Sequence, residues 1–214
     1  MNSRAKLSPS ARTWDILAAV LLVCAMLTAV TRLVVTKWTE ELYAVQTLTF
    51  LGVLLGLAIG YSRFSPRTSL FLGFAYGLVA VPWQMGLTLG PGFEWKTRVQ
   101  ILYDRLMTTI DIVIQSKPVN DNILFLFLMS CLFWALSVHA GYSLVRSGNA
   151  WRAALPGGLA MLVIHSYDPY IVRRIWFLAV YLYFTLLLVA RGTFTHPRMQ
   201  WRQNRTFVAP DLGF

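Results

Sequence analysis

Six long stretches of the chain are almost wholly apolar and show neither the period of two expected of a half-buried strand nor frequent polar interruptions. They run from Trp14 to about Val35, Tyr43 to Tyr61, Ser69 to Leu89, Ile123 to Val145, Ala153 to Ser166, and Ile171 to Ala190. A helix needs about 20 residues to cross the hydrocarbon layer of a bilayer, and a helix satisfies its own backbone there. The pattern therefore predicts an all-α, polytopic integral membrane bundle of six transmembrane helices. The fifth stretch, "AALPGGLAMLVIHS", is short and contains Pro156, Gly157 and Gly158. It is read as a span anchored by Trp151 and Arg152, with a re-entrant segment as the alternative.

A different pattern fills the connection from Gly90 to Asn122. After the helix-stopping "GPG", apolar residues fall at Trp95, Val99, Leu102, Tyr103, Leu106, Ile110, Val113 and Ile114, on one helical face. Lys96, Arg98, Gln100, Asp104, Arg105 and Thr108 cover much of the other face. This predicts an amphipathic helix over 94–116, lying on the outer membrane surface or packed over the bundle.

Composition agrees with a lipid-embedded chain. Of 214 residues, 57% are apolar and 13% charged, about half the charge of a soluble domain. The net charge of +10 does not point to nucleic acid, because the basic residues flank apolar runs and form no stripe of their own. Eleven Lys and Arg fall on the side of the N terminus, against eight on the other side, where seven of the nine acids also lie. Both termini are therefore placed in the cytoplasm. Residues 1–13 form the N-terminal tail, 14–190 the six-span domain and 191–214 a basic linker. Trp14, Trp38, Trp151, Trp176 and Trp201 near span ends fit an aromatic belt.

Candidate chemistry is sparse. Cys24 and Cys131 lie inside apolar runs, and no phosphate loop, metal-ligand spacing or nucleophile elbow is present. No catalytic residue, metal or cofactor is assigned. His165, Asp168, Arg173 and Arg174 crowd the outer ends of the last two spans. They could bind an anion or take part in proton chemistry, but an ion-paired turn is the simpler reading. Arg32 is expected to snorkel to the headgroups, and His139 to bond to a neighbouring helix. Gly52, Gly56 and Gly60, with Gly73 and Gly77, let another helix approach closely. Packing within the chain is preferred over a contact between two copies.

The order of these parts resembles the N-terminal membrane region of bacterial membrane-anchored transglutaminase-like proteins of the TgpA type. The resemblance rests on the outer "EWKTRVQILYDRLMTTIDIVIQS", Asn120-Asp121 before a span, "WRAALPGGLAMLVIHSY", and the final "QWRQNRTFVAPDLGF" with Pro210-Asp211-Leu212-Gly213. It implies a further span downstream and then an extracytoplasmic domain with a Cys-His-Asp triad, none of which this sequence contains. The chain is thus expected to be an N-terminal portion that anchors such a domain. Its partners would be the lipid bilayer, its own downstream domain and, through the glycine faces, a second copy of itself. A stand-alone transporter using the His165–Arg173 region, or a membrane interaction subunit, is the alternative.

Overall fold

A computed structural model describes residues 15–90, 92–117, 121–168 and 172–203, with side chains as far as Thr193. The described residues are helical throughout their regular structure: α1 (Ile16–Thr36), α2 (Tyr43–Tyr61), α3 (Pro66–Thr88), α4 (Trp95–Ile114), α5 (Ile123–Ser147), α6 (Ala150–Ser166) and α7 (Trp176–Gln203). A short 3-10 turn, Val172–Arg174, precedes α7. Five of these helices, α1, α2, α3, α5 and the 176–193 part of α7, are long and apolar enough to cross a membrane.

Helix α6 has 17 residues, which at 1.5 Å per residue is about 25 Å. It nonetheless connects the two ends of the bundle. At its start, Ala150 lies beside Gly192 of α7. At its finish, His165 meets Arg32 from the last turns of α1. Pro156 sits within the first two turns of α6, and the helix continues through it to Ser166. Helix α7 likewise runs past Ala190 to Gln203, so the helix continues into the stretch expected as a linker. The N-terminal tail 1–13, Trp14, Asn120 and the Pro210–Gly213 turn lie outside the described residues.

Packing follows from where the small residues fall. The most extensive helix–helix contact joins α2 to α5. Gly52, Gly56 and Gly60 of α2 lie directly against Ser137, Val138, Tyr142 and Val145 of α5. From the other side, a Cβ at Gly141 would stand 2.5 Å from the Val53 carbonyl oxygen and 2.7 Å from the Leu57 nitrogen. Backbone thus touches backbone, which only glycine permits. Gly73 and Gly77 of α3 serve α5 in a related way. Gly77 leaves room for the Trp134 indole, whose Nε1 donates to the Gly73 carbonyl at 3.0 Å, and Gly73 itself lies against Val138. All five glycines singled out in the sequence therefore face α5 of the same chain.

Lipid-facing character is equally legible. Along α3, Leu70, Phe71, Phe74, Leu78, Val79 and Trp83 are exposed on a helix that buries little but its glycine side. Large apolar residues on the outside of a helix of this length belong against acyl chains rather than water. The core proper is built from α1 and its neighbours, with Leu22, Met26, Val30, Leu33, Leu48 and Phe133 fully buried.

Helix α4 packs across the end of the bundle that holds the α1–α2 connection. Its Trp95 ring lies over Gly86 and against Trp83 of α3, ring centroids 4.8 Å apart. Arg98 caps the end of α3, donating to the carbonyls of Gly86, Gly90 and Phe93. A guanidinium at a helix C terminus satisfies orphan carbonyls and opposes the helix dipole. Leu102, Leu106 and Ile110 turn partly inward, and Thr109 is the buried residue of the helix. Tyr103, Val113 and Ile114 remain 59%, 47% and 73% exposed.

The far end of α4 is tied to α5 by a bidentate pair. Arg105 Nε and Nη2 donate to the two carboxylate oxygens of Asp121 at 2.9 and 2.8 Å. The Arg105 hydrogen bond is the main reason the Asp121 carboxyl lies below its usual value of 3.8. A depressed carboxyl stabilises the fold above the unfolded value and loses that contribution as pH falls through the folded value. Hydrogen exchange in α4 is therefore expected to rise as a detergent-solubilised sample is taken below about pH 4. Asp121→Asn should reproduce the effect at neutral pH. Both side chains are partly exposed, so the effect is small, at most about 1 kcal/mol.

Candidate functional site

Charge inside an apolar bundle needs a reason, and the densest case lies where α1, α6 and α7 meet. Arg32 is four residues from the end of α1 and has no solvent exposure at all. It does not snorkel to the headgroups, as expected from its place near a helix end. Its Nη2 reaches Asp168 Oδ2 at 2.6 Å and His165 Nδ1 at 3.1 Å, while Nε lies 3.4 Å from the same imidazole nitrogen. Asp168 Oδ2 also accepts from Arg174 Nη1 at 2.9 Å. One carboxylate oxygen is therefore shared by two guanidiniums, one buried and one partly exposed.

Arginine has only donors, so in this contact the imidazole Nδ1 is the accepting atom, and His165 holds the Arg32 guanidinium in place beside Asp168.

Of the residues singled out in the sequence, His165, Asp168 and Arg174 thus come together. Arg173 does not join them: it is exposed, with no ion-pair partner among the described residues. Pro169, expected to form the turn after Asp168, lies outside the described residues. The member that sequence reasoning missed is Arg32, 136 positions from Asp168 in the chain. Its signal was its charge: an arginine within an apolar run.

The opposite end of the bundle holds a simpler counterpart. Asp15 caps the start of α1 by accepting from the Ala18 amide at 3.0 Å, and it accepts from Arg191 Nε of α7 at 2.8 Å. Helix α1 is therefore pinned by ion pairs at both ends, to α7 at one and to the α6–α7 connection at the other.

His139 also departs from expectation. It is exposed, and its Nε2 lies 3.2 Å from Ser143 Oγ of its own helix rather than bonding to a neighbour. Cys24 and Cys131 are free and half-buried.

Two concavities adjoin the ion-pair network. One, of about 710 Å³, is a groove between α5 and α6, lined by Phe125, Met129, Leu159, Val163 and Tyr167, with Trp38 also on its wall. It is almost entirely apolar. The other, of about 560 Å³, lies between the ends of α1 and α7, lined by Val35, Arg173, Arg174, Trp176 and Phe177. Neither contains the acid–base pair or nucleophile that a reaction would need, and the buried carboxylate is already committed to two arginines. No protein-family model matches the chain, and neither a curated protein nor a solved structure is similar to it.

Proposed function

We propose that this chain is a non-catalytic, multi-pass anchor in the bacterial cytoplasmic membrane that holds a transglutaminase-like domain on the outer side. In this reading α1, α2, α3, α5, α6 and α7 are six spans with both ends cytoplasmic, and α4 lies at the outer surface. The observation that carries the proposal is the character of the outer end. There the ion-paired Arg32, His165, Asp168 and Arg174 tie three elements together, and α4 lies across the end with Tyr103, Val113 and Ile114 exposed. A rigid bundle end carrying an amphipathic helix is suited to seating an attached domain near the membrane surface. A transporter would need charged groups along a path through the bundle, whereas the ion pairs among the described residues sit toward its ends.

The assignment to transglutaminase-like proteins rests on the sequence resemblance and is tested at the gene. Sequencing downstream of the Phe214 codon should find an in-frame apolar span and then a soluble domain with a cysteine ahead of a histidine and an aspartate. A stop codon directly after Phe214 would rule out the anchor reading. In the longer chain, deletion of Trp95–Ser116 should leave membrane insertion intact and lower the activity of the attached domain. Unchanged activity would show that α4 does not seat it.

A further inference from the structure

Positive charge gathers where α1 meets α7. Arg32 and Arg174 share one carboxylate, Asp168, and Arg173 stands with Arg174 on the wall of the adjoining cavity. Donors also outnumber acceptors: Arg32 Nη1 is buried with no hydrogen-bond partner among the described residues. Arg173 is exposed and has no ion-pair partner among the described residues, although Glu40 and Glu41 belong to the same end of the bundle and are exposed. Exposed Arg173 and partly exposed Arg174, side by side on one cavity wall, offer a site to an anion from outside the chain.

The shape beside these arginines says which anion. Arg173 and Arg174 line a cavity whose other walls are Val35, Trp176 and Phe177, with the Trp176 and Phe177 rings stacked at 3.9 Å. A free inorganic ion would meet that apolar and aromatic wall with nothing to bury. A phospholipid would set its phosphate against the guanidiniums and its glycerol and upper acyl carbons against the rings. Tryptophan at the end of a span already marks the headgroup level.

We propose that the cavity between the ends of α1 and α7 binds the phosphodiester of an anionic phospholipid, with Arg173 as the main charged contact. Arg174, already shared with Asp168, links the bound phosphate to the buried network. The site requires only that the helices sit in a bilayer, and it is independent of any attached domain.

Native mass spectrometry of the detergent-purified chain, re-lipidated with phosphatidylglycerol or phosphatidylcholine, tests this. Wild type should retain phosphatidylglycerol in preference to phosphatidylcholine. Arg173→Gln should lower that retention about tenfold, the effect of one charge-assisted hydrogen bond. Arg173→Lys should keep most of it, and Lys96→Gln, a charge loss on exposed α4, should change nothing. The unfolding temperature of Arg173→Gln should match wild type, since the side chain is exposed. Four results would overturn the proposal: equal retention of the two lipids, full retention in Arg173→Gln, loss in Lys96→Gln or Arg173→Lys equal to that in Arg173→Gln, or displacement of the lipid by millimolar inorganic phosphate. The last would reassign the cavity to a free anion.

Discussion

Asp168→Asn should destabilise the folded bundle by roughly 3–5 kcal/mol, the largest effect expected of any conservative change in this chain. The substitution keeps the shape of the side chain and removes its charge. Arg32, with no solvent exposure, would then hold a full positive charge in the interior, facing His165 and a neutral amide. It cannot shed its proton, and it cannot reach water without pulling α1 away from α6. Arg174 would suffer less, because it is partly exposed. The sharper form of the prediction is a double-mutant comparison. Arg32→Met with Asp168→Asn removes the uncompensated charge together with its partner, and should recover most of the lost stability. Thermal unfolding in detergent, followed by tryptophan fluorescence, reads both. A double mutant no more stable than Asp168→Asn would mean that the network is not acting through charge compensation.

Gly141→Val should disrupt the bundle about as severely, by a different route. The clash would fall on the backbone of α2 at Val53 and Leu57, which cannot turn aside as a side-chain tip can. Overpacking a filled core costs about 1–3 kcal/mol where side chains can yield. Here two helix axes must separate, so the cost should reach or exceed the upper end. Gly73→Ala is the matched control, because its new Cβ would meet a single atom, Val138 Cγ1, at 3.1 Å. It should be nearly tolerated. Gly92→Ala, with nothing within 4 Å, should be silent. Monodispersity on size-exclusion chromatography and the unfolding midpoint would rank the three. If Gly141→Val proved as mild as Gly73→Ala, the close approach of α2 and α5 would not be what holds the bundle together.

The two sites differ in how far sequence could reveal them. The glycine side of α2 was plain, because Gly52, Gly56 and Gly60 repeat at a spacing that keeps them on one face. Its partner was not, because Gly141 stands alone among glycines on α5. The signal there is mixed: Ser137 and Gly141 are four apart and both small, and Ser137 lies directly against Gly52. The helices themselves were legible since a bilayer imposes long apolar runs, and the amphipathic face of α4 was legible from its period. What could not be read locally was the partner of Arg32. Charge pairing across 136 residues depends on which helix ends meet, and that is decided by packing rather than by any local pattern. Histidine 139 illustrates the same limit: His139 sits one position from the buried Ala140, and a small rotation of α5 decides whether it faces helix or lipid.

The central claim is the threading of the chain, and impermeant thiol labelling of intact cells tests it most directly. With Cys24 and Cys131 replaced by serine, single cysteines would be placed at Arg63 between α2 and α3, at Lys117 after α4, and at Thr193 in α7. The account predicts labelling at position 117 without permeabilisation, and at positions 63 and 193 only after it. Labelling of position 193 in intact cells would mean that α6 turns back instead of crossing. Protection of position 117 would mean that α4 and the Arg32–Asp168 end lie inside the cell, which would contradict the anchor reading at its foundation.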